Sequence, residues 1–261
     1  MDPPVKVVTW NVNSIHARLD NVLNWVEAND PDILLLQETK VVDQEFPIDD
    51  FGDLGYDCVF TGERSYNGVA ICAKDEIHEV QKNLPGDGPE AQKRLITGRI
   101  GDLRVASVYV PNGQALDSDK YSYKLEWLGR LRGFLGGLTS PDQPFLISGD
   151  YNIAPADLDV WDTKAMVGST HVSPPERAAL AALLELGLVD AFRLLQPTKR
   201  QFSWWDYRAG AFQRDAGLRI DLHLVSRALV PRVKAVTIDT QARAEEKASD
   251  HAPIVLELAD A

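Results

Sequence analysis

At 261 residues the chain is long enough for one large core, and its 44% hydrophobic and 25% charged residues are ordinary for a soluble globular protein. No apolar run approaches the roughly eighteen residues that span a bilayer, and the opening MDPPVKVVTW lacks the basic and apolar segments of a secretory signal, so a membrane partner is excluded and a cytoplasmic location expected. A net charge of -12 counts against a broadly basic nucleic-acid-coating protein, but it leaves room for one basic face and for carboxylates gathered around a metal.

In chain order, VKVVTWNV is β-rich and stops at Asn11 and Asn13. Leu19, Val22, Leu23 and Val26 then recur at helical spacing, and Asn29-Asp30-Pro31 ends that helix. DILLLQE is a short continuous apolar run, as for a strand buried on both faces. YDCVF, GVAICAK, LITGRI and LRVASVYV follow as strands with turn residues between them. A helix is expected from about Asp119 to Leu135, carrying Leu125, Leu128 and Leu131. PFLISGD is another apolar run ending in an acid, and Pro174 to Leu186 reads as a helix that starts at Pro174-Pro175 and stops at Gly187. RIDLHLVS, VKAVTIDT and PIVLELA supply late strands. Hairpin-like neighbours argue against a simple repeating βαβ chain and favour two sheets packed face to face with helices outside. No linker or repeat divides the chain, so residues 1–261 are expected to form a single domain. Cys58 and Cys72 are too few for a disulfide framework or a metal knuckle and lie among apolar residues; buried free thiols in a reducing compartment are expected.

One pattern recurs along these strands. Asn11, Asn13, Glu38, Tyr109, Asp150, Asn152, Asp221, Asp250 and His251 each stand at or beside an apolar run. If those ends converge, one pocket holds four carboxylates, several amides, a phenol and an imidazole, in the place where α/β folds put their sites. So many buried carboxylates must either rise in pKa or meet a cation. Hard oxygen ligands without thiolate point to Mg²⁺ or Mn²⁺.

WNVNS, PDILLLQETK, YNGVAI, VYVPNG, GDYNIAP, FSWWDYR, GLRIDL and SDHAP occur in this order, and through them the sequence resembles the bacterial exonuclease III family. Those proteins are apurinic/apyrimidinic (AP) endonucleases of the endonuclease/exonuclease/phosphatase superfamily. The likeness runs from about Val5 to Leu258, and FSWWDYR and GLRIDL narrow it to the DNA-repair branch. It implies a four-layer α/β sandwich of two packed mixed β-sheets flanked by helices. It also implies a Mg²⁺-dependent enzyme, with Mn²⁺ as the alternative, acting as a monomer on double-stranded DNA with abasic or 3′-blocked ends. Cleavage 5′ to the abasic site, 3′→5′ exonuclease and 3′-end cleaning are the activities expected of it.

By the same resemblance Glu38 is the main metal ligand, with Asn11, Asn13 and Asp250 in or near the metal shell. Asp150 activates or orients the attacking water beside Asn152, Asp221 pairs with His251, His251 contacts the scissile phosphate, and Tyr109 contacts the phosphate or the leaving oxygen. Trp204, Leu218 and Ile220 match the pocket for the base-less sugar, while Arg94 and Lys120 match phosphate contacts. Asn112 stands where the family often carries glutamine, and His223 where an aliphatic residue is common; a buried structural histidine is expected there. Phe202 is expected in the core, and Lys93, Lys124, Arg208, Arg214 and Arg219 are expected to join a basic rim around the carboxylates.

Overall fold

The computed structural model describes residues 4–138 and 143–259. The chain begins with β1 (Val5–Asn11), α1 (Leu19–Asn29), β2 (Ile33–Gln37), α2 (Ile48–Asp53), β3 (Asp57–Glu63) and β4 (Tyr66–Ala73). It continues through β5 (His78–Lys82), β6 (Leu95–Ile100), β7 (Leu103–Tyr109), α3 (Asp119–Leu138), β8 (Phe145–Asp150) and α4 (Pro174–Leu184). It closes with β9 (Leu188–Asp190), α5 (Ala191–Leu195), β10 (Asp221–Ser226), β11 (Val233–Ile238), α6 (Thr240–Ala244) and β12 (Ile254–Leu258).

Two six-stranded sheets result, ordered β11-β12-β1-β2-β4-β3 and β5-β6-β7-β8-β10-β9. Each has one parallel pair at its centre, β1–β2 or β7–β8, and antiparallel pairs elsewhere. Each parallel pair is joined by one crossover helix, α1 or α3, as strands running the same way require. The sheets are therefore mixed, and the expected four-layer sandwich is what the chain forms.

Period-two alternation makes the layers. Val7, Leu35 and Ile71 of the first sheet meet Val105, Leu146 and Val225 of the second between the sheets. On the outer face of the first sheet Val8, Leu34 and Leu36 pack on Val22, Trp25 and Val26 of α1. On the outer face of the second, Ala106, Val108 and Ile147 pack on Trp127, Leu128 and Leu131 of α3. Strands buried on both faces read as unbroken apolar runs, which is why DILLLQE and PFLISGD were readable.

Helix ends follow local chemistry. Asp30 closes α1 in a left-handed conformation with its N–H on the Val26 carbonyl. Ser173 opens α4 in a capping box with Glu176, and Pro174 fills the first helical position. The helix ends at Leu184, two residues before the predicted stop, and Gly187 takes φ 91° in the turn beyond. Strands β5 and β9 were not predicted; β5 is polar and exposed, and β9 is only three residues long.

The two cysteines correct an expectation. Cys58 and Cys72 face each other across antiparallel β3 and β4, 4.1 Å apart at Cα, and form a disulfide. The hairpin register, not the number of cysteines, brings them together, so the free-thiol inference fails and the argument for a reducing compartment loses its support. Phe202 is buried as expected.

His223 is fully enclosed between the sheets, bonded to the Ser148 hydroxyl at 2.6 Å and the Ile254 carbonyl at 3.0 Å. Burial holds its imidazole neutral, down to about 4. The unfolded chain therefore binds a proton at this histidine that the folded chain refuses between pH 6.5 and 4, and stability falls as pH drops through that window. From the width of the window, about 3 kcal/mol is lost in full by pH 4. Urea unfolding of His223→Leu should show a flatter decline in stability from pH 7.5 to 4.5 than the unsubstituted chain; parallel declines would contradict this.

Candidate active site at the carboxyl ends of both parallel pairs

The four central strands each deliver a polar side chain at the same end. Asn11 ends β1, Glu38 follows β2, Tyr109 ends β7 and Asp150 ends β8. Tyr109, Asp150 and Asp221 are register partners across β7, β8 and β10, and the row beneath them is Ser107, Ser148 and His223. Gly149 permits that row. A Cβ there would lie 1.8 Å from the Val108 carbonyl oxygen, so any larger residue would push β8 off β7 and carry Asp150 with it. Asn13, Glu38 and Asn152 all have positive φ, at 46°, 52° and 50°. Left-handed non-glycine residues gather where the surrounding structure enforces a functional geometry.

Side-chain amides hold the carboxylates. The Asn11 amide donates to Glu38 Oε1 at 2.8 Å and to Asp150 Oδ2 at 3.0 Å, spanning the two sheets. Asp150 also accepts from the Asn152 backbone N–H at 2.8 Å and the Asn152 side chain at 3.2 Å. Asn112 donates in turn to Asn152 Oδ1 at 3.1 Å. Asn13 donates to Asp250 Oδ1 at 2.9 Å, and the Trp204 indole to Asp250 Oδ2 at 2.9 Å.

The SDHAP stretch is pinned from three sides. Ser249 donates to the Asn11 carbonyl at 2.6 Å, the Trp10 indole reaches the His251 carbonyl at 3.1 Å, and His251 Nδ1 meets Asp221 Oδ2 at 2.9 Å. Ser203 braces Asp221 with a 2.6 Å hydrogen bond. His251 Nε2 is thereby aimed at Asp150, 3.8 Å from Oδ2.

Electrostatics set the protonation states. Burial disfavours the His251 imidazolium, but the Asp221 and Asp150 carboxylates overcome that and raise it to about 10. Burial raises Asp150, the His251 charge opposes it, and the Asp221 and Glu38 carboxylates add to the rise. Burial also pushes Glu38 upward, but the Lys40 ammonium at 2.8 Å and the Asn11 amide more than reverse it. Tyr109 is kept a neutral phenol by burial, well above its ordinary value, with the Arg94 guanidinium 4.6 Å over its ring.

Among the described residues, Glu38, Asp150 and His251 bring one ligand atom each within 4.8 Å of one another. Two carboxylates this close, one of them driven upward first by burial and then by the Asp221 and Glu38 charges, are the donor set that a hard divalent cation relieves. The residues present therefore fit a metal held through oxygen.

Other predicted residues fall into two groups. Arg94, Tyr109, Asn112 and Lys120 line one cleft of about 540 Å³ that opens beside Glu38. Trp204 pairs through its backbone with both Leu218 and His251, and its ring lies 6.4 Å from that of His251 and 6.2 Å from that of His171. Leu218 and Ile220 are buried with Val160 and Ala154, so they back the tryptophan rather than present an open wall. Lys124 and Arg219 do not join a basic rim. Both are fully buried, Lys124 against Glu176 and Arg219 against Asp159 and Asp190. Arg208 and Arg214 are exposed as expected.

Sequence reasoning passed over Lys40, Ser203 and His171. Lys40 and Ser203 lay inside quoted stretches, QETK and FSWW, where only a three-dimensional partner gives them meaning. His171 bonds the Asn152 carbonyl at 2.7 Å from a loop with no motif around it.

A phosphodiester or phosphomonoester fits such a site: carboxylates suited to a hard cation beside two hydrogen-bond donors, the His251 imidazole and the neutral Tyr109 phenol. Residues 8–251 match the Endonuclease/Exonuclease/phosphatase family, and the chain belongs to it. It is 37% identical to exodeoxyribonuclease III of Haemophilus influenzae, covering 96% of this chain and 98% of that one. It is 32% identical to a DNA repair nuclease of Danio rerio, over 98% of this chain and 82% of that one. Among solved structures it superposes on a 3′ phosphatase from Neisseria bound to product DNA hairpin, with TM-score 0.95 and 40% identity, covering 97% and 99% of the chains. An AP endonuclease from Archaeoglobus fulgidus gives TM-score 0.94 and 39% identity, again over 97% and 99%.

The Asp221–His251 pair yields a direct check. In the metal-free protein the His251 ring should stay protonated through pH 8 by NMR titration, and Asp221→Asn should bring its pKa down. A ring that titrates near 6.5 in the unsubstituted chain would contradict the assigned electrostatics.

Proposed function

We propose that this chain is a Mg²⁺-dependent DNA-repair nuclease that hydrolyses the phosphodiester 5′ to abasic sites in duplex DNA, leaving a 3′-hydroxyl. The same centre removes 3′ phosphates and nucleotides, because each reaction attacks one phosphorus beside a 3′ oxygen. The Asn11 amide that joins Glu38 to Asp150, with His251 aimed at the same point, carries this reading. The relatives named as exodeoxyribonuclease III, AP endonuclease and 3′ phosphatase support the substrate class.

Glu38, with Asp150 alongside, would hold Mg²⁺ or Mn²⁺, and such an ion would supply positive charge to balance the phosphate and the departing oxygen. Asn11, Asn13 and Asp250 keep that shell in order. Asp150, 3.8 Å from His251 Nε2, holds the attacking water through a hydrogen bond and is the acceptor of its proton in this reading. His251 is held at Nδ1 by Asp221, whose carboxylate favours the imidazolium, and in this reading it donates to the charge developing on phosphate rather than taking the water's proton. Tyr109, kept neutral, donates a second hydrogen bond there, and Asn152 and Asn112 fix the phosphate-side amides. Trp204, backed by Leu218 and Ile220, bounds the space for the base-less sugar.

The acidic total does not oppose DNA binding. Lys40, Arg94 and Lys120 line one cleft beside Glu38, and such local positive charge can meet phosphates while the total stays negative. No helix among the described residues is long and apolar enough to cross a membrane. The reading is completed by a monomer that works on DNA in the cytoplasm.

A duplex oligonucleotide with one abasic analogue, run beside an undamaged duplex and a 3′-phosphate end, tests the proposal. Metal-dependent processing abolished by EDTA is expected, and Asp150→Asn or His251→Asn should each reduce turnover about a thousandfold with DNA binding retained. Tight binding without metal-dependent cleavage would make the chain a non-catalytic relative, and turnover of small phosphate esters alone would move it to another branch of the family.

A further inference from the structure

Lys124 lies in the second turn of α3, where a lysine normally reaches solvent, yet it is fully buried. A lysine ammonium has three N–H donors and no acceptor. All three are engaged here. Nζ donates to the Asn152 main-chain carbonyl at 2.7 Å, to the Asn112 main-chain carbonyl at 3.2 Å and to the Glu176 carboxylate. Both asparagines point their side chains into the candidate active site, and they belong to different loops, one after β7 and one after β8. No hydrogen is left over for substrate, so the ammonium cannot act on phosphate itself.

We propose that Lys124 is a positioning residue for phosphodiester hydrolysis, one that clamps the Asn112 and Asn152 carbonyls together and so sets the water-holding carboxylate of Asp150. The inference rests on the nuclease reading above. The linkage is short. Asn152 sits at φ 50°, a conformation its neighbours must enforce, and its backbone N–H and side chain make two of the hydrogen bonds to Asp150. Its side chain also donates to the Val110 carbonyl at 3.0 Å, two residues before Asn112. Asn112 closes the loop by donating to Asn152 Oδ1 at 3.1 Å. The Asn152 carbonyl is held from a second side by His171 Nδ1 at 2.7 Å. The Glu176 carboxylate that balances the ammonium is locked by the Ser173 and His171 backbone N–H groups, both at 3.0 Å. The helix cap of α4 thus reaches the catalytic carboxylate through one lysine. Gly113 fits the same picture. At φ 90° it lets the loop settle on the lysine stem, and a Cβ there would lie 3.1 Å from Lys124 Cδ and 3.3 Å from Tyr121 Cδ2.

Two variants test the clamp by different routes. Lys124→Met/Glu176→Gln removes both buried charges together, which avoids leaving one unpaired and keeps an oxygen in the helix cap. Gly113→Ala leaves every charge in place and lifts the loop off the lysine from the surface side. For each, kcat and KM on the wild type's preferred DNA substrate are measured beside the urea midpoint. In Gly113→Ala, kcat should fall about tenfold or more with KM changed less than about threefold, the midpoint dropping only by the strain of alanine at φ 90° while the chain stays folded in the assay, and the double variant should show the same kcat-selective loss. Unaltered kcat in Gly113→Ala, or in a folded double variant, overturns the proposal, and Gly113→Ala decides alone if the double variant does not fold. The wild type in the same assay separates the two levels: no metal-dependent cleavage by it defeats the nuclease reading, whereas cleavage by it and by the variants at equal kcat defeats only the clamp.

Discussion

The side-chain amide of Asn11 carries the central constraint of this molecule. One end of the first sheet supplies Asn11 and Glu38, one end of the second supplies Asp150, and two N–H bonds of a single amide hold the two carboxylates together across the gap. Uncompensated, carboxylates at this spacing repel and take up protons. The amide, the Lys40 ammonium and the His251 imidazolium offset that repulsion from three directions. The arrangement stores a place for a further positive charge between them.

Geometry at this scale depends on the rest of the fold. The two sheets have the same plan, a parallel pair bridged by one helix, and packing them face to face brings both pairs' carboxyl ends to one side. Beneath the site the inter-sheet core is mostly aliphatic but carries a second polar tier of Thr9, Gln37, Ser107, Ser148 and His223. Gln37 bonds Thr9 of the neighbouring strand at 3.1 Å and Ser107 of the opposite sheet at 3.0 Å, and Ser148 bonds His223. Satisfied buried polar groups fix register more strictly than aliphatic contacts do, because a slipped strand would leave them unpaired. Register is what places Tyr109, Asp150 and Asp221 in one row.

Much of this was readable in the sequence because both-face burial writes apolar runs, and the residue at the end of each run stands out. Asn11, Glu38, Tyr109, Asp150, Asp221 and His251 were found in that way and do converge, and the Asp221–His251 pairing implied by family likeness is present as a hydrogen bond. What failed depended on contacts between distant segments. Cys58 and Cys72 are bonded because a hairpin register opposes them, and nothing in their spacing says so. Lys124 and Arg219 looked like surface charges because a sequence does not show the carboxylates that meet them inside, Glu176 for one and Asp159 with Asp190 for the other. Leu218 and Ile220 lie in a buried cluster against which Trp204 packs, Leu218 being paired with Trp204 through the backbone, so they back the tryptophan rather than face open space.

The charge balance at Glu38 and Asp150 can be measured without any substrate. Mn²⁺ binding followed by electron paramagnetic resonance, with Mg²⁺ as competitor, should reveal a site in the unsubstituted chain that Glu38→Gln weakens at least about tenfold, since one of its anionic ligands becomes neutral. Equal affinity in the two proteins would mean that the carboxylates held by Asn11 do not bind the cation, and the chemistry assigned to this cleft would have to be abandoned.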